Sequence, residues 1–141
     1  RERPEVTAVR HRLHGLQLWL ALPEADEEVE PAFHHYPGAS IPAVDVAGVP
    51  VRVMMGTAFG VTSPVRTFAD TLYVEAHLRA GQALALPAAE ERAVYVAQGA
   101  LSIGGAAVPE HALAVLRDVP GVVVRAEVET RVALIGGARL G

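Results

Sequence analysis

The sequence predicts an all-β domain, either a sandwich or a barrel, and three observations lead to that prediction. Short apolar segments recur about every 8–12 residues from Val51 onward, separated by glycine and proline. Apolar and polar side chains alternate within several of these segments, as in half-buried strands. No amphipathic helical pattern extends over about ten residues or more. Because only 5% of the residues are aromatic, we expect a core of valine, leucine, isoleucine and alanine.

The predicted strands follow one another in a regular order. They are residues 51–58, 71–78, 83–86, 92–98, 100–103, 107–109, 112–116, 121–127 and 131–137. Alternation is clearest in residues 71–78, where one face carries Leu72, Val74, Ala76 and Leu78 and the other carries Tyr73, Glu75 and His77. Gly104 and Gly105 can supply the positive φ angles of a tight hairpin turn.

The segment HGLQLWLALP, residues 14–23, lies before these strands. Leucines alternate with Gln17, Trp19 and Ala21, so both faces are mostly apolar, and we expect a strand buried on both sides. Residues 24–50 are expected to form a connecting loop ordered by Phe33 and Tyr36. The predicted divisions are therefore residues 1–23, 24–50 and 51–141, with the last forming the β domain.

Composition argues against several classes of partner and site. The net charge of −4 and the absence of any Lys- or Arg-rich run argue against nucleic-acid binding. No apolar run approaches the roughly 18 residues of a membrane span, and no secretory leader is visible. The absence of cysteine excludes disulfides, thiolate metal ligands and thiol catalysis in this sequence. We expect a cytoplasmic protein.

Five segments together resemble the pirin family. They are HGLQLWLALP, EPAFHHYP, VRVMMGTAFGVTSPVRTFADTLYVEAHLRAG, AVYVAQGALSIGG and VALIGGARLG. Pirins are bicupins, with two jelly-roll barrels (double-stranded β-helices) in one chain. The resemblance implies that residues 51–141 form the carboxy-terminal cupin barrel. It also implies that residues 1–23 are a remnant of the first barrel, with residues 14–23 as its late strand or the crossing between barrels.

The resemblance also implies where the family's chemistry lies. Pirins hold a metal ion, usually iron, through H-x-H and H-x-E pairs in the first barrel, which we expect to precede Arg1 in a longer parent. This chain would then be the non-catalytic half of a quercetin 2,3-dioxygenase-type oxygenase, with no cofactor of its own and with iron or another divalent metal in the parent. The alternative that the resemblance implies is a regulatory, protein-binding module that acts as a metal-sensing partner of other proteins. The expected partners are the missing first barrel or a second copy of the chain.

The general cupin metal motif can be aligned with residues 81–99. Its two imidazole positions fall on Pro87 and Ala89 and its carboxylate position falls on Arg92, and none of these side chains can ligate a metal. The histidine of the second motif corresponds to His111, which we expect to be a half-buried residue at a strand end. We therefore predict a structural barrel without a metal site or catalytic residues.

The remaining candidates are polar residues near the amino end. Gln17 shares a face with Trp19 and either points into the first-barrel cavity or bonds to backbone at the seam between barrels, because a buried amide must find partners. His11 and His14 are expected to be solvated, and His34 and His35 to lie in a packed loop. Residues 24–30 form a solvated acidic loop or a charged contact surface.

Overall fold

A computed structural model describes residues 14–140 together with Pro4, Ala8, Arg10 and Arg12. Twelve strands lie in this part of the chain. They are β1 (Ala43–Val46), β2 (Val49–Met55), β3 (Thr57–Ala58), β4 (Val61–Thr62), β5 (Thr71–Leu78), β6 (Ala83–Ala85), β7 (Glu91–Gln98), β8 (Leu101–Ile103), β9 (Ala106–Val108), β10 (Leu113–Leu116), β11 (Val123–Ala126) and β12 (Thr130–Gly137). Between residues 14 and 140, the helical elements are two 3-10 turns, Glu24–Asp26 and Gly38–Ser40.

The strands form two packed antiparallel sheets and a short hairpin. The larger sheet has the order β1-β2-β5-β12-β7-β10, the smaller has the order β6-β11-β8-β9, and β3 pairs with β4. Side chains from both larger sheets meet in a single buried cluster that consists almost entirely of valine, leucine and alanine. This arrangement confirms the all-β prediction and the aliphatic core.

Strand β5 shows the predicted alternation. Its inward face carries Leu72, Val74, Ala76 and Leu78, all of which are buried in the core cluster. The hairpin between β8 and β9 also forms as predicted, because Ile103 pairs with Ala106 across Gly104 and Gly105. Both glycines have positive φ, 56° and 81°, which is the conformation that a two-residue hairpin turn of this hand requires.

The prediction of a buried strand at residues 14–23 is wrong. These residues form no strand, and all but Leu22 and Pro23 are exposed. The predicted start of the β domain is also too late, since β1 begins at Ala43 within the expected loop. Phe33 does not order that loop, because it is 89% exposed, whereas the Tyr36 hydroxyl accepts a hydrogen bond from the Arg66 amide at 3.2 Å.

No helix in the described residues is long and apolar enough to cross a membrane.

Candidate functional site

The space between the two large sheets is filled rather than open. Leu78, Leu101, Val94 and Val124 are completely buried there, and the surrounding side chains are aliphatic. Across the described ranges, no group of three or more His, Cys, Asp or Glu side chains is placed to hold a metal ion. The interior therefore does not fit the metal centre that the cupin motif would require.

Three of the motif positions come together at one end of the barrel. Arg92, the second residue of β7, is 4% exposed and points inward like Val94 and Val96. Its Nη1 donates to the Pro87 carbonyl oxygen at 2.9 Å. Ala89 is partly buried and packs against the core cluster. The positions that carry ligands in a metal-binding cupin thus carry a proline, a methyl group and a permanent cation.

His111 lies elsewhere and is not half-buried as predicted. It is exposed, it precedes β10, and its φ of 65° places it in the left-handed region. Its backbone N–H donates to the Val96 carbonyl at 2.7 Å, and its Nδ1 lies 3.4 Å from the Tyr95 hydroxyl. Since Leu113 pairs with Tyr95 while Leu116 pairs with Arg92, His111 is at the opposite end of β10 from Arg92.

The outer face of the larger sheet carries a polar row that the sequence motifs did not identify. The Tyr73 hydroxyl donates to the Glu75 carboxylate two residues along β5, and Arg52 of β2 is the ladder partner of Glu75. Burial and this hydrogen bond raise the pKa of Tyr73 well above its ordinary value, so the phenol remains a donor. His77 Nε2 lies 2.7 Å from the Glu129 carboxylate.

Residues 14–23 border the outer face of the same sheet without adding a strand to it. Residues 18–23 line a groove of about 790 Å³ whose other walls include Tyr73, Val115 and Ile135. Residues 14–16 line a second groove of about 590 Å³ with Arg52, Glu75 and His77. The walls of both grooves are mostly apolar, and both also carry charged side chains, among them Glu91 and Arg139 in the first and Arg52 and Glu75 in the second.

Several large apolar side chains of this region face solvent. Trp19 is 92% exposed, Leu20 is 51% exposed and Val115 of the edge strand β10 is 79% exposed, while Leu16 and Leu18 are each about two-fifths exposed. An exposed apolar surface of this kind is typical of a contact site for another protein surface. We name the outer face of the larger sheet together with residues 14–23 the outer surface.

The other candidate residues contribute no assembled site. Gln17 is exposed. Within the described residues, its amide therefore neither points into a cavity nor hydrogen-bonds to backbone at a seam between barrels. His14 is exposed, whereas His11 lies outside the described residues. The ring centroids of His34 and Tyr36 are 6.4 Å apart, and both His34 and His35 are exposed. Residues 24–30 are exposed apart from Asp26.

Comparison with known proteins agrees with this architecture. Residues 73–141 match the pirin C-terminal cupin domain. Residues 73–141 therefore form a cupin domain of the pirin carboxy-terminal type. It is 37% identical over 132 residues to a pirin-like protein of Caulobacter vibrioides, covering 92% of this chain and 46% of that protein. It is 34% identical over 93 residues to human pirin, covering 64% of this chain and 32% of that protein. The chain therefore spans less than half the length of these relatives.

Solved structures show the same fold. A quercetin 2,3-dioxygenase from Acinetobacter baumannii superimposes with a TM-score of 0.78 at 25% sequence identity, over 86% of this chain and 41% of that one. A protein from Geobacillus kaustophilus superimposes with a TM-score of 0.75 at 23% identity, over 85% of this chain and 52% of that one. The cupin fold and the pirin resemblance predicted from the sequence are thereby confirmed.

Proposed function

We propose that this pirin-type domain is the non-catalytic barrel of a longer quercetin 2,3-dioxygenase-type oxygenase. In that protein a metal-binding cupin barrel, with iron or another divalent ion, would carry out the reaction. The proposal draws on the pirin match and on the name of the Acinetobacter structure that shares this fold. The chain described here would contribute a partner surface rather than reacting groups.

The filled barrel interior is the observation that carries this proposal. A cupin reaction centre needs several imidazole and carboxylate ligands converging on an open cavity. In this barrel the corresponding side chains are Pro87, Ala89 and Arg92, and aliphatic side chains occupy the interior. The chemistry of these side chains favours a structural barrel.

The outer surface supports the second part of the proposal, which is docking. Complete burial of a large apolar side chain contributes about 1.5–3 kcal/mol, and Trp19, Leu20 and Val115 are more than half exposed. Residues 14–22 belong to no helix or strand and make no backbone hydrogen bond within the described residues, so their backbone groups are available to a neighbouring sheet. We expect the first barrel of the longer protein to cover this surface, with a second copy of the chain as the alternative occupant.

If the chain has this metal-free role, the purified chain should bind little iron. After incubation with excess Fe(II) without oxygen and removal of unbound ions, we expect far less than one iron per chain by elemental analysis. The absorbance of quercetin should then stay unchanged when air is admitted. The physical reason is that neither the barrel interior nor its arginine-containing end offers a ligand set.

A variant distinguishes surface iron from an interior site. His77 and Glu129 form a pair on the exterior and can retain some metal at high concentration. Iron that disappears in His77→Gln belongs to that pair and leaves the proposal intact. Stoichiometric iron that persists in His77→Gln, or quercetin consumption that depends on it, would contradict the proposal.

A regulatory, protein-binding role is the second candidate, and the exposed acidic segment favours it. Glu24, Glu27, Glu28 and Glu30 are all exposed and can present negative charge to a basic partner. The two roles place their contacts differently, since docking of a first barrel uses the apolar outer surface. Replacement of these four glutamates by glutamine would weaken capture of a basic partner and leave apolar docking unchanged.

A further inference from the structure

Arg92 is a charged side chain in an aliphatic interior. It is 4% exposed and occupies the inward register of β7 ahead of Val94 and Val96, both of which are completely buried. A guanidinium cannot lose its proton to avoid the cost of burial, so it must be compensated by hydrogen bonds or by a counter-charge. The neighbours of Arg92 show which of these applies.

Two backbone carbonyl groups compensate the guanidinium. Nη1 donates to Pro87 O at 2.9 Å and Nη2 donates to Val119 O at 2.7 Å. Within the described part of the chain no ion pair includes Arg92, and its Nε has no hydrogen-bond partner. The cation is therefore held by carbonyl dipoles instead of a carboxylate.

These two carbonyls belong to different connections of the barrel. Pro87 lies between β6 of the smaller sheet and β7 of the larger sheet, whereas Val119 lies between β10 of the larger sheet and β11 of the smaller one. Both connections pass from one sheet to the other at the same end of the barrel. Arg92 thus joins the two crossings where the sheets would otherwise separate.

The opposite strand leaves room for this side chain. Gly136 of β12 pairs with Arg92, and a Cβ atom at Gly136 would lie 3.3 Å from Arg92 Cγ and 2.5 Å from the Glu91 carbonyl oxygen. Gly136 has an ordinary φ, so the glycine is needed here for space and not for backbone conformation. The backbone of β7 at Glu91 therefore requires the glycine, and the Ala89 and Arg92 side chains pack against the same space, each at 3.3 Å.

We infer that Arg92 is a resident cation that fastens this end of the barrel, at the position where the cupin frame places a metal-binding carboxylate. It joins Pro87 and Val119 through its own side chain, so the closure requires no bound ion. The inference deepens the proposed metal-free role without depending on the identity of the longer protein.

Thermal unfolding of Arg92 variants provides the first test. Arg92→Met keeps much of the aliphatic volume but leaves two carbonyls without their donors, and we expect its Tm to fall by about 10 °C or more. Arg131→Met is the matched control, since Arg131 is exposed on β12, and its Tm should change by about 3 °C or less. EDTA should leave the wild-type Tm unchanged. Equal Tm values for wild type and Arg92→Met would overturn the inference.

Chemical rescue provides a test that a purely space-filling role would not pass. The part of the arginine side chain that Arg92→Ala removes, beyond Cβ, corresponds to ethylguanidinium. Millimolar ethylguanidinium chloride should raise the Tm of this variant by about 2 °C or more and leave wild type unaffected, whereas ethylammonium chloride should not. Equal effects of the two salts would overturn the assignment to a guanidinium bridge. If Arg92→Ala does not fold, recovery of folded protein in ethylguanidinium but not in ethylammonium is the equivalent readout.

The two proposals can fail separately. Stoichiometric interior iron contradicts the proposed function whatever the Arg92 variants do. Unchanged stability of Arg92→Met contradicts the resident cation even if the chain binds no iron.

Discussion

Replacing Leu101 by alanine should lower the free energy of unfolding by about 2–5 kcal/mol. Leu101 opens β8, is 0% exposed and pairs with both Ala126 of β11 and Val108 of β9. Truncation of its side chain removes contacts from the interior that the two large sheets share and leaves a cavity there. Urea denaturation followed by far-UV circular dichroism would measure the change.

Leu113→Ala supplies the matched control for this prediction. It is the same substitution on an edge strand, β10, where the side chain is 54% exposed, so the expected loss is about 1 kcal/mol or less. Equal losses for the two variants would contradict the filled interior on which the proposed metal-free role depends. A much larger loss at Leu113 would show that another surface covers β10.

Replacing Gly99 by alanine should be similarly severe, at about 2–5 kcal/mol. Gly99 follows β7 with a φ of 91°, a conformation that costs an L-residue about 1–2 kcal/mol. A Cβ atom there would also lie 2.4 Å from the Glu129 carbonyl oxygen and 2.6 Å from Thr130 Oγ1. Relieving these two contacts requires a backbone shift that costs about 1–3 kcal/mol. The fully buried Thr130 hydroxyl, which accepts a hydrogen bond from the Ala100 amide, would be displaced.

Gly81→Ala separates the two contributions to this loss. Its φ of 82° is similar, but a Cβ atom at Gly81 would have no neighbour within 4 Å. We therefore expect only the conformational cost of about 1–2 kcal/mol for this variant. The same denaturation experiment gives the loss in the free energy of unfolding for both glycine variants. The difference between the two losses measures the cost of the close contact between the β7–β8 turn and Thr130. No difference would show that this approach is absent in solution.

The strands of the barrel could be predicted because their signals are local. A period of two residues marks the faces of β5 without knowledge of its neighbours, and two adjacent glycines mark the β8–β9 turn. The same reasoning failed at residues 14–23, because a segment that is apolar on both faces shows a tendency to be buried but does not show what will bury it. Trp19 accordingly proved to be exposed.

The barrel end with Arg92 was only half predictable. The motif spacing placed an arginine where a carboxylate would ligate metal. The alternation of Arg92, Val94 and Val96 is a local signal of its inward direction that the motif comparison did not use. Its Nη2 contact with Val119, 27 residues away, depends on how two connections between the sheets converge. Such a contact is a property of the tertiary structure and leaves no periodic signal in the sequence. The Tyr73–Glu75 pair was likewise placed on a face but not recognised as a hydrogen-bonded unit.

The fluorescence of Trp19, the only tryptophan, tests most directly whether this domain acts through its outer surface. In a dilute sample that light scattering shows to be monomeric, we expect the emission of a water-exposed indole that acrylamide quenches freely. In a longer pirin-type protein that contains this sequence, or in a dimer formed at high concentration, the emission should shift to shorter wavelength and resist quenching. A blue-shifted, quencher-protected emission already present in the dilute monomer would contradict the account, because the segment would then be packed on its own barrel.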